Sequence, residues 1–447
     1  MKIPSIPGFD QGAIEKYAKN AGWLMIARVG SLGIKIGIGI MVSNYLGPEK
    51  FGIYGYPLIF ATFFIAAAAL GLDGFVTREL LRHPEKKNQL LGTAFILKLT
   101  GGLLILPLIY LAYQIWNGIN PISAPFSYIL IVSFTGVFQA FNIIDSYFQS
   151  RAQGKFIMKI QVLGNLFSAA LKLVLILLGM SLSWFIVALL LDAVLLAIGY
   201  VYVYQNNGAS LFQWKFESSI AKFLLKNSWP LAFSAILVTI YMKIDQLMIQ
   251  SYLGSTEQGI YSTVVQLSES WYFIPVAIVT AVFPAIMNAK RDDPERYQKR
   301  MQNMYDLMVW ISMSIAIIMT FASPLIYKFY TPEYRGAAHV LSIHIWAGIF
   351  TFLGTASGQF LIAEGYTKLS LFRTGMGALI NIILNIYWIP RYGITGAAVA
   401  TLIAYFASNF MILLVPKTRP QGIMMLKSLF LITLVEKIKN RPRTLKS

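Results

Sequence analysis

The sequence predicts an all-α polytopic membrane protein: twelve transmembrane helices in two six-helix lobes of parallel orientation. Three observations predict it. Of 447 residues, 57% are hydrophobic and 13% charged, where a soluble domain carries about a quarter of its residues as charges. Twelve apolar stretches reach the ~20 residues needed to cross a bilayer. One string occurs twice, as Tyr45-Leu46-Gly47-x-x-x-x-Gly52-Ile53-Tyr54 and as Tyr252-Leu253-Gly254-x-x-x-x-Gly259-Ile260-Tyr261, 207 residues apart. A membrane chain of two similar halves marks secondary transporters, with the site at the seam, and an even number of spans per half makes the repeats parallel.

The spans run at about 21–46, 52–72, 90–114, 126–149, 160–179, 183–204, 228–250, 259–288, 304–328, 336–362, 370–389 and 393–416. None alternates with period two, and a membrane interior demands internally satisfied backbones, so helices are the expected form. The first run exceeds the ~7–15 residues of a signal sequence core and lacks a small-residue cleavage site, so it reads as a span. The expected organisation is a cytoplasmic segment at 1–20, an N-lobe at 21–204, a linker at 205–227, a C-lobe at 228–416 and a basic tail at 417–447. Residues 10–20 read as a short interfacial helix. Residues 423–447 read as an amphipathic helix on the anionic cytoplasmic leaflet or as a disordered basic tail.

Orientation follows from Lys and Arg. One set of loops, with both ends of the chain, holds 28 of the 37, and the alternate loops hold only Lys50, Lys328, Arg335 and Arg391. Both termini are therefore expected in the cytoplasm. The net charge of +18 is a consequence of topology, and a nucleic-acid partner is not expected. Cysteine is absent, which excludes disulfides and thiolate metal sites. His83, His339 and His344 lack metal-like companions and read as loop or helix-end residues. No phosphate-binding Gly-x-x-x-x-Gly-Lys-Ser/Thr loop occurs. Neither a metal nor a cofactor is expected, no catalytic group is assigned, and a proton or sodium gradient is the expected energy source.

Nine ionisable residues fall within spans: Arg28, Lys35, Lys98, Asp145, Lys172, Asp192, Lys243, Asp245 and Glu269. Each costs about 2.5–3.5 kcal/mol at mid-membrane, so a bundle keeps it only by pairing it or lining water. Arg28 and Lys35 are seven apart and return to one helix face, as a cationic ladder about 10 Å tall. Lys243 and Asp245 are two apart and point to different sides. No such charge lies deep in spans nine to twelve. Asp145, near the end of its span, reads as structural. Five cations against four acids suggest an anion site: Arg matches phosphate bidentately and Lys acts as a point charge. Pro275, Pro284 and Glu269 make span eight the best hinge candidate.

The string Lys243-Ile244-Asp245-Gln246-x-Met248-Ile249, with Ser268-Glu269-x-Trp271-Tyr272-Phe273-Ile274-Pro275, resembles the bacterial polysaccharide-biosynthesis flippases. So do Asn44-Tyr45-Leu46-Gly47-Pro48-x-x-Phe51-Gly52 and Leu384-Asn385-x-Tyr387-x-Ile389-Pro390-x-Tyr392-Gly393-Ile394-x-Gly396. The resemblance implies a fold like multidrug and toxic-compound extruders, two lobes around a V-shaped cavity. It implies flipping of undecaprenyl-diphosphate-linked oligosaccharide, such as O-antigen units, across the bacterial inner membrane, in contact with membrane lipids and with polysaccharide polymerase machinery as a candidate partner. Arg28, Lys35, Lys98, Lys172 and Lys243 would then hold the diphosphate. Asp192, Asp245 and Glu269 would carry a coupling ion or lock conformations, and Trp271 and Tyr272 would stack on sugars or anchor the interface. The two extra helices of relatives that flip the peptidoglycan precursor are missing. The rivals are a cation-drug extruder of the same fold, which calls for an acid-dominated cavity, a membrane enzyme, which calls for a catalytic extramembrane loop, and a purely structural partner.

Overall fold

Ten helical segments long and apolar enough to cross a membrane occur in the computed structural model. It describes residues 11–119, 122–433 and 435, with the side chains of all of these except 11–29, 291 and 292. No strand occurs among the described residues. The helices are α1 (Gln11–Ala68), α2 (Leu72–Arg82), α3 (Lys87–Ile119), α4 (Phe126–Ser133), α5 (Thr135–Phe138), α6 (Ile143–Ser150), α7 (Gly154–Leu177) and α8 (Leu182–Asn206). They continue as α9 (Ser218–Leu253), α10 (Ser255–Glu269), α11 (Phe273–Asp292), α12 (Pro294–Ile326), α13 (Ala337–His344), α14 (Ala347–Ala363), α15 (Thr367–Phe410) and α16 (Arg419–Leu429).

Two segments are too long for one crossing. Gly30–Arg82 has 53 residues and Thr367–Leu414 has 48, about 80 and 70 Å at 1.5 Å per residue against a ~30 Å core. Each contains a glycine off the helical path, Gly47 (φ 71°, ψ 168°) and Gly393 (φ 59°, ψ −146°), where the sequence places a loop between spans. In α15 the arms fold back on each other. Asn381 Nδ2 donates to Thr401 Oγ1 at 3.3 Å, and a Cβ on Gly396 would lie 2.4 Å from the Trp388 carbonyl oxygen. Dividing both segments at these glycines brings the ten found among the described residues close to the expected number.

The chain forms two compact units, one of Met1–Thr263 with Phe329–Tyr334 and the other of Val264–Lys328 with Arg335–Ser447. In the first unit the two copies of the repeated string pack on each other. A Cβ on Gly52 would lie 1.9 Å from the Ser255 carbonyl oxygen, and one on Gly259 would lie 2.0 Å from the Pro48 carbonyl oxygen. Ser255 is Pro48 shifted by the same 207 residues, so the crossing has local two-fold symmetry. Gly47 and Gly254 (φ 84°, ψ −176°) turn the chain in the same way just before it. Only glycine allows both the positive φ and the close backbone approach. A strap from residues 329–334 closes over α1 beside this crossing. Asn44 donates to the Phe329 carbonyl at 2.7 Å and accepts from the Thr331 amide at 3.0 Å, while Tyr334 donates to the Ser43 carbonyl at 3.0 Å.

The second unit has a methionine-rich core. Met301, Met304 and Met308 recur at helical spacing on α12 and are buried with Phe352, Leu361 and Met425. The start of α12 is capped by Asp293, which accepts from the Glu295 and Arg296 amides at 3.1 and 3.0 Å, with Pro294 at the first helical position, as N-cap chemistry favours. The chain breaks between Glu269 and Phe273, within the span expected to hinge, and Pro275 falls in the first turn of α11, where it costs no helix bond. Outward faces carry apolar side chains, such as Leu104, Leu108, Leu111 and Ile115 on α3 and Ile318, Phe321 and Leu325 on α12, as a lipid environment requires.

Some details lie beyond the sequence reading. Arg373 and Asp306, near the starts of two expected spans and not counted among the nine intramembrane charges, are buried. Arg373 donates to Ser357 Oγ at 2.6 Å and to the Gly354 carbonyl at 3.2 Å. Asp306 Oδ1 accepts from Gln302, Ser428 and Thr433 at 3.0, 2.7 and 2.7 Å and so anchors α16. The tail expected from 423 onward is helical from Arg419 to Leu429; 434 and 436–447 lie outside the described residues. Residues 11–20, expected as a separate interfacial helix, continue directly into α1.

Candidate functional site

A polar stripe runs through the apolar helices of the first unit. Asn165, Ser168 and Lys172 on α7 are spaced three and four apart, which puts them on one helix face. Asn165 Nδ2 donates to Ser31 Oγ of α1 at 2.7 Å. One turn along, Lys172 Nζ donates to Ser168 Oγ at 2.7 Å and to Asp192 Oδ2 of α8 at 2.8 Å. The Ser168 hydroxyl in turn donates to the same Oδ2 at 2.8 Å. Lys35 sits one turn past Ser31 on α1, exposed, and feels the charges of both Lys172 and Asp192. Buried Tyr54 lies within electrostatic reach of the same two. Among the described residues the cluster thus brings two ammonium groups and one carboxylate together. Asp192 Oδ1 is buried and accepts no hydrogen bond among the described residues, so the carboxylate keeps one oxygen for a proton or cation. A surplus positive charge with a spare acceptor can attract an anion and exchange a small cation.

The other predicted residues fall in separate places. Lys98 is buried on α3 and its ammonium meets Asp73 Oδ1 of α2 at 2.5 Å; the aspartate side chain is 52% exposed. Ser146 donates to the Asp73 carbonyl at 3.0 Å, which ties α6 to the same corner. Asp245 is buried: Tyr261 donates to its Oδ2 at 2.7 Å and the Gln246 amide to its Oδ1 at 2.8 Å. This carboxylate braces α9 against α10. Lys243, two residues away, is half-buried. Glu269, in the second unit, is half-buried at the end of α10. Beside it buried Ser268 Oγ and His344 Nδ1 are 2.8 Å apart, so His344 is a helix-end residue held inside the unit. Asp145 is half-buried on α6. Arg28 lies on α1, but its side chain falls outside the described residues.

The structure therefore brings together Lys35, Lys172 and Asp192 from the predicted set. Sequence reasoning passed over Ser31, Tyr54, Asp73, Asn165 and Ser168. Asn165 and Ser168 carried a signal, being polar residues that lead in single-turn steps to Lys172 inside an apolar run. Asp73 carried none, because it was counted with the loop after the second span.

Solved structures of the same fold define the class. A multidrug resistance MATE family transporter of the MOP superfamily, in an inward-facing conformation, superimposes with a TM-score of 0.72 at 16% identity over 93% of this chain and 99% of that one. The lipid II flippase MurJ, in an inward closed conformation, gives 0.68 at 15% identity over 94% and 93%. The chain is a multi-pass membrane protein with the fold of these transporters. It belongs to the polysaccharide biosynthesis protein family, whose sequence model matches residues 42–339. The capsular polysaccharide biosynthesis protein CapF of Staphylococcus aureus is 22% identical over 87% of this chain and 96% of its own length. The probable low-salt glycan biosynthesis flippase Agl15 of Haloferax volcanii is 24% identical over 37% of this chain and 35% of its own. An uncharacterized membrane protein of Methanocaldococcus jannaschii, MJ1375, is 28% identical, but the match spans only 42% of that protein.

Proposed function

We propose that this chain is a secondary transporter that flips lipid-linked oligosaccharide, borne on undecaprenyl diphosphate, from the cytoplasmic to the outer leaflet of a bacterial inner membrane. The observation that carries the reading is the net-positive Lys35–Lys172–Asp192 cluster inside a chain of the polysaccharide biosynthesis family. In this reading the lobes are residues 21–204 and 228–416, both termini are cytoplasmic, and alternating access exposes the cluster to each side in turn. Lys35 and Lys172, with Arg28 one ladder rung away, take the diphosphate. Lys243 and Lys98 extend the positive field, Lys98 through a pair that a passing anion can compete for. As phosphate draws Lys172 away, Asp192 loses its counter-charge and takes up a proton or sodium ion on Oδ1, which couples substrate to gradient. Asp245 and Glu269 act as conformational locks. Membrane lipids surround the apolar faces, and polymerase machinery receives the product.

The test is a proteoliposome assay with a glycan-tagged polyprenyl diphosphate, read by loss of lectin accessibility on one face. Protein-dependent movement of this substrate, with no movement of the sugar-free lipid phosphate alone, is the expected result. The second reading, a cation-drug extruder, rests on the likeness of the fold to the MATE structure. It predicts instead drug resistance in cells and no glycolipid movement.

A further inference from the structure

A second cationic site lies away from the Lys35–Lys172 cluster, at the end of the first unit that the charge bias assigns to the cytoplasm. Its floor is an aromatic stack. Trp214 Nε1 donates to the Tyr204 hydroxyl at 3.0 Å, and Tyr204 meets Tyr147 edge-on at 5.0 Å between centroids. Tyr147 meets Phe148 at 5.3 Å, and Phe148 meets Phe156 at 5.2 Å. Tyr147 and Phe148 are buried, so these rings are fixed. Cations lie along this stack. The Arg151 guanidinium carbon is 4.5 Å from the Tyr147 centroid and Lys87 Nζ is 5.6 Å from the same centroid. Lys155 Nζ is 4.8 Å from the Phe156 centroid. Arg151 belongs to the turn that leads into α7, and Lys87 opens α3.

Two like charges over one ring repel, and Lys87 feels the Arg151 charge directly. Glu79 is engaged by Arg78 and Arg82 at 3.5 and 3.7 Å, and Glu85 by His83 at 3.3 Å. Among the described residues neither Lys87 nor Arg151 is in an ion pair. The ring lies beside both cations, neither of which makes a side-chain hydrogen bond among the described residues, and Arg151 is exposed and Lys87 half-exposed. A guanidinium fork and a point-charge ammonium held beside one ring, within electrostatic reach of each other, suit a phosphate group.

We propose that Lys87 and Arg151, seated over Tyr147, bind the phosphate of an anionic lipid at the cytoplasmic face. The site stands on its own geometry and relies on the flippase reading only for its orientation and for the substrate as one source of phosphate. The phosphate belongs either to a membrane phospholipid headgroup or to a polyprenyl diphosphate awaiting transport. The former makes the site an anchor and the latter an entrance.

Native mass spectrometry of the full-length chain in neutral detergent tests this, with farnesyl diphosphate and with short-chain phosphatidylglycerol as probes. The variant is K87Q/R151Q, which keeps stems over the ring, and K86A is the control for bulk charge at the exposed neighbour. The expected result is a loss of about tenfold in affinity for each cation removed, on the scale of a charge-assisted phosphate contact, and no change in K86A. Loss for farnesyl diphosphate alone assigns the site to the substrate, and loss for phosphatidylglycerol alone assigns it to the bilayer. Unchanged binding of both probes to K87Q/R151Q overturns the proposal, as does an equal loss in K86A. If K87Q/R151Q elutes as aggregate, Arg151→Lys serves, with a loss of bidentate binding expected and equal affinity overturning the site. Because the readout is equilibrium binding, its failure leaves the flipping assay untouched, and a failed flipping assay leaves it untouched in turn.

Discussion

Replacing Gly259 with Ala probes the symmetric crossing directly. The added Cβ would meet the Pro48 carbonyl oxygen at 2.0 Å and the Gly52 amide nitrogen at 2.8 Å. Ordinary contact begins near 3.4 Å, so α10 and the second arm of α1 must separate by about 1.4 Å. Both opposing atoms are backbone, and no rotamer change relieves them. Overpacking of this kind costs about 1–3 kcal/mol, and the upper end applies here because whole helices must move. About 3 kcal/mol is roughly a hundredfold in the folding equilibrium. Gly52→Ala faces the mirror contact with Ser255 at 1.9 Å and should cost the same. The double variant should cost less than the sum, because one separation relieves both clashes. Gly74→Ala is the control, with nothing within 4 Å of its Cβ and a gain of about 0.5–1 kcal/mol expected from helix propensity. The assay is chemical unfolding in detergent, followed by circular dichroism. If Gly259→Ala unfolds at the same denaturant concentration as Gly74→Ala, the crossing does not bear the load assigned to it.

Further outcomes follow from the charged groups. Lys98→Ala should cost about 1 kcal/mol, the exposed Asp73 partner weakening the pair, and should slow flipping per folded molecule by a few-fold, as loss of one charge from the positive field requires; wild-type flipping per folded molecule would remove Lys98 from the path of the substrate. Asp192→Asn should leave substrate binding within about threefold and abolish dependence of transport on an imposed ion gradient, measured in proteoliposomes with and without an ionophore. Asp306→Ala should strip Gln302, Ser428 and Thr433 of a shared acceptor, at about 1–3 kcal/mol, and speed trypsin cleavage after Lys427; an unchanged cleavage rate would mean that α16 docks without it.

Much of the fold was legible before any coordinates. Composition and run length suffice to place helices in a membrane, because the bilayer admits few alternatives. Gly47 and Gly393 sit where the hydropathy breaks, and both turn the chain there. The repeated string announced a duplication, yet nothing in it said that the copies touch. That contact depends on two glycines finding each other across 207 residues, which periodicity along one helix does not encode. The site was legible as a list of charges and not as an arrangement. Lys172 and Asp192 are 20 residues apart on successive helices, and their pairing depends on helix rotation. Lys98 and Asp245 look the same as Lys35 in sequence, an ionisable group in an apolar run. Their separate roles emerge only from Asp73 and Tyr261, which approach from other helices. Arg373 and Asp306 escaped notice because hydropathy windows blur the ends of spans.

The most direct test of the central claim is flipping by the Lys35→Ala/Lys172→Ala double variant, reconstituted beside wild type and matched for folded protein. The net-positive cluster predicts movement of the glycan-tagged diphosphate lipid at the rate of protein-free vesicles, with each single variant slowed by tenfold or more. Wild-type flipping by the double variant would contradict the account.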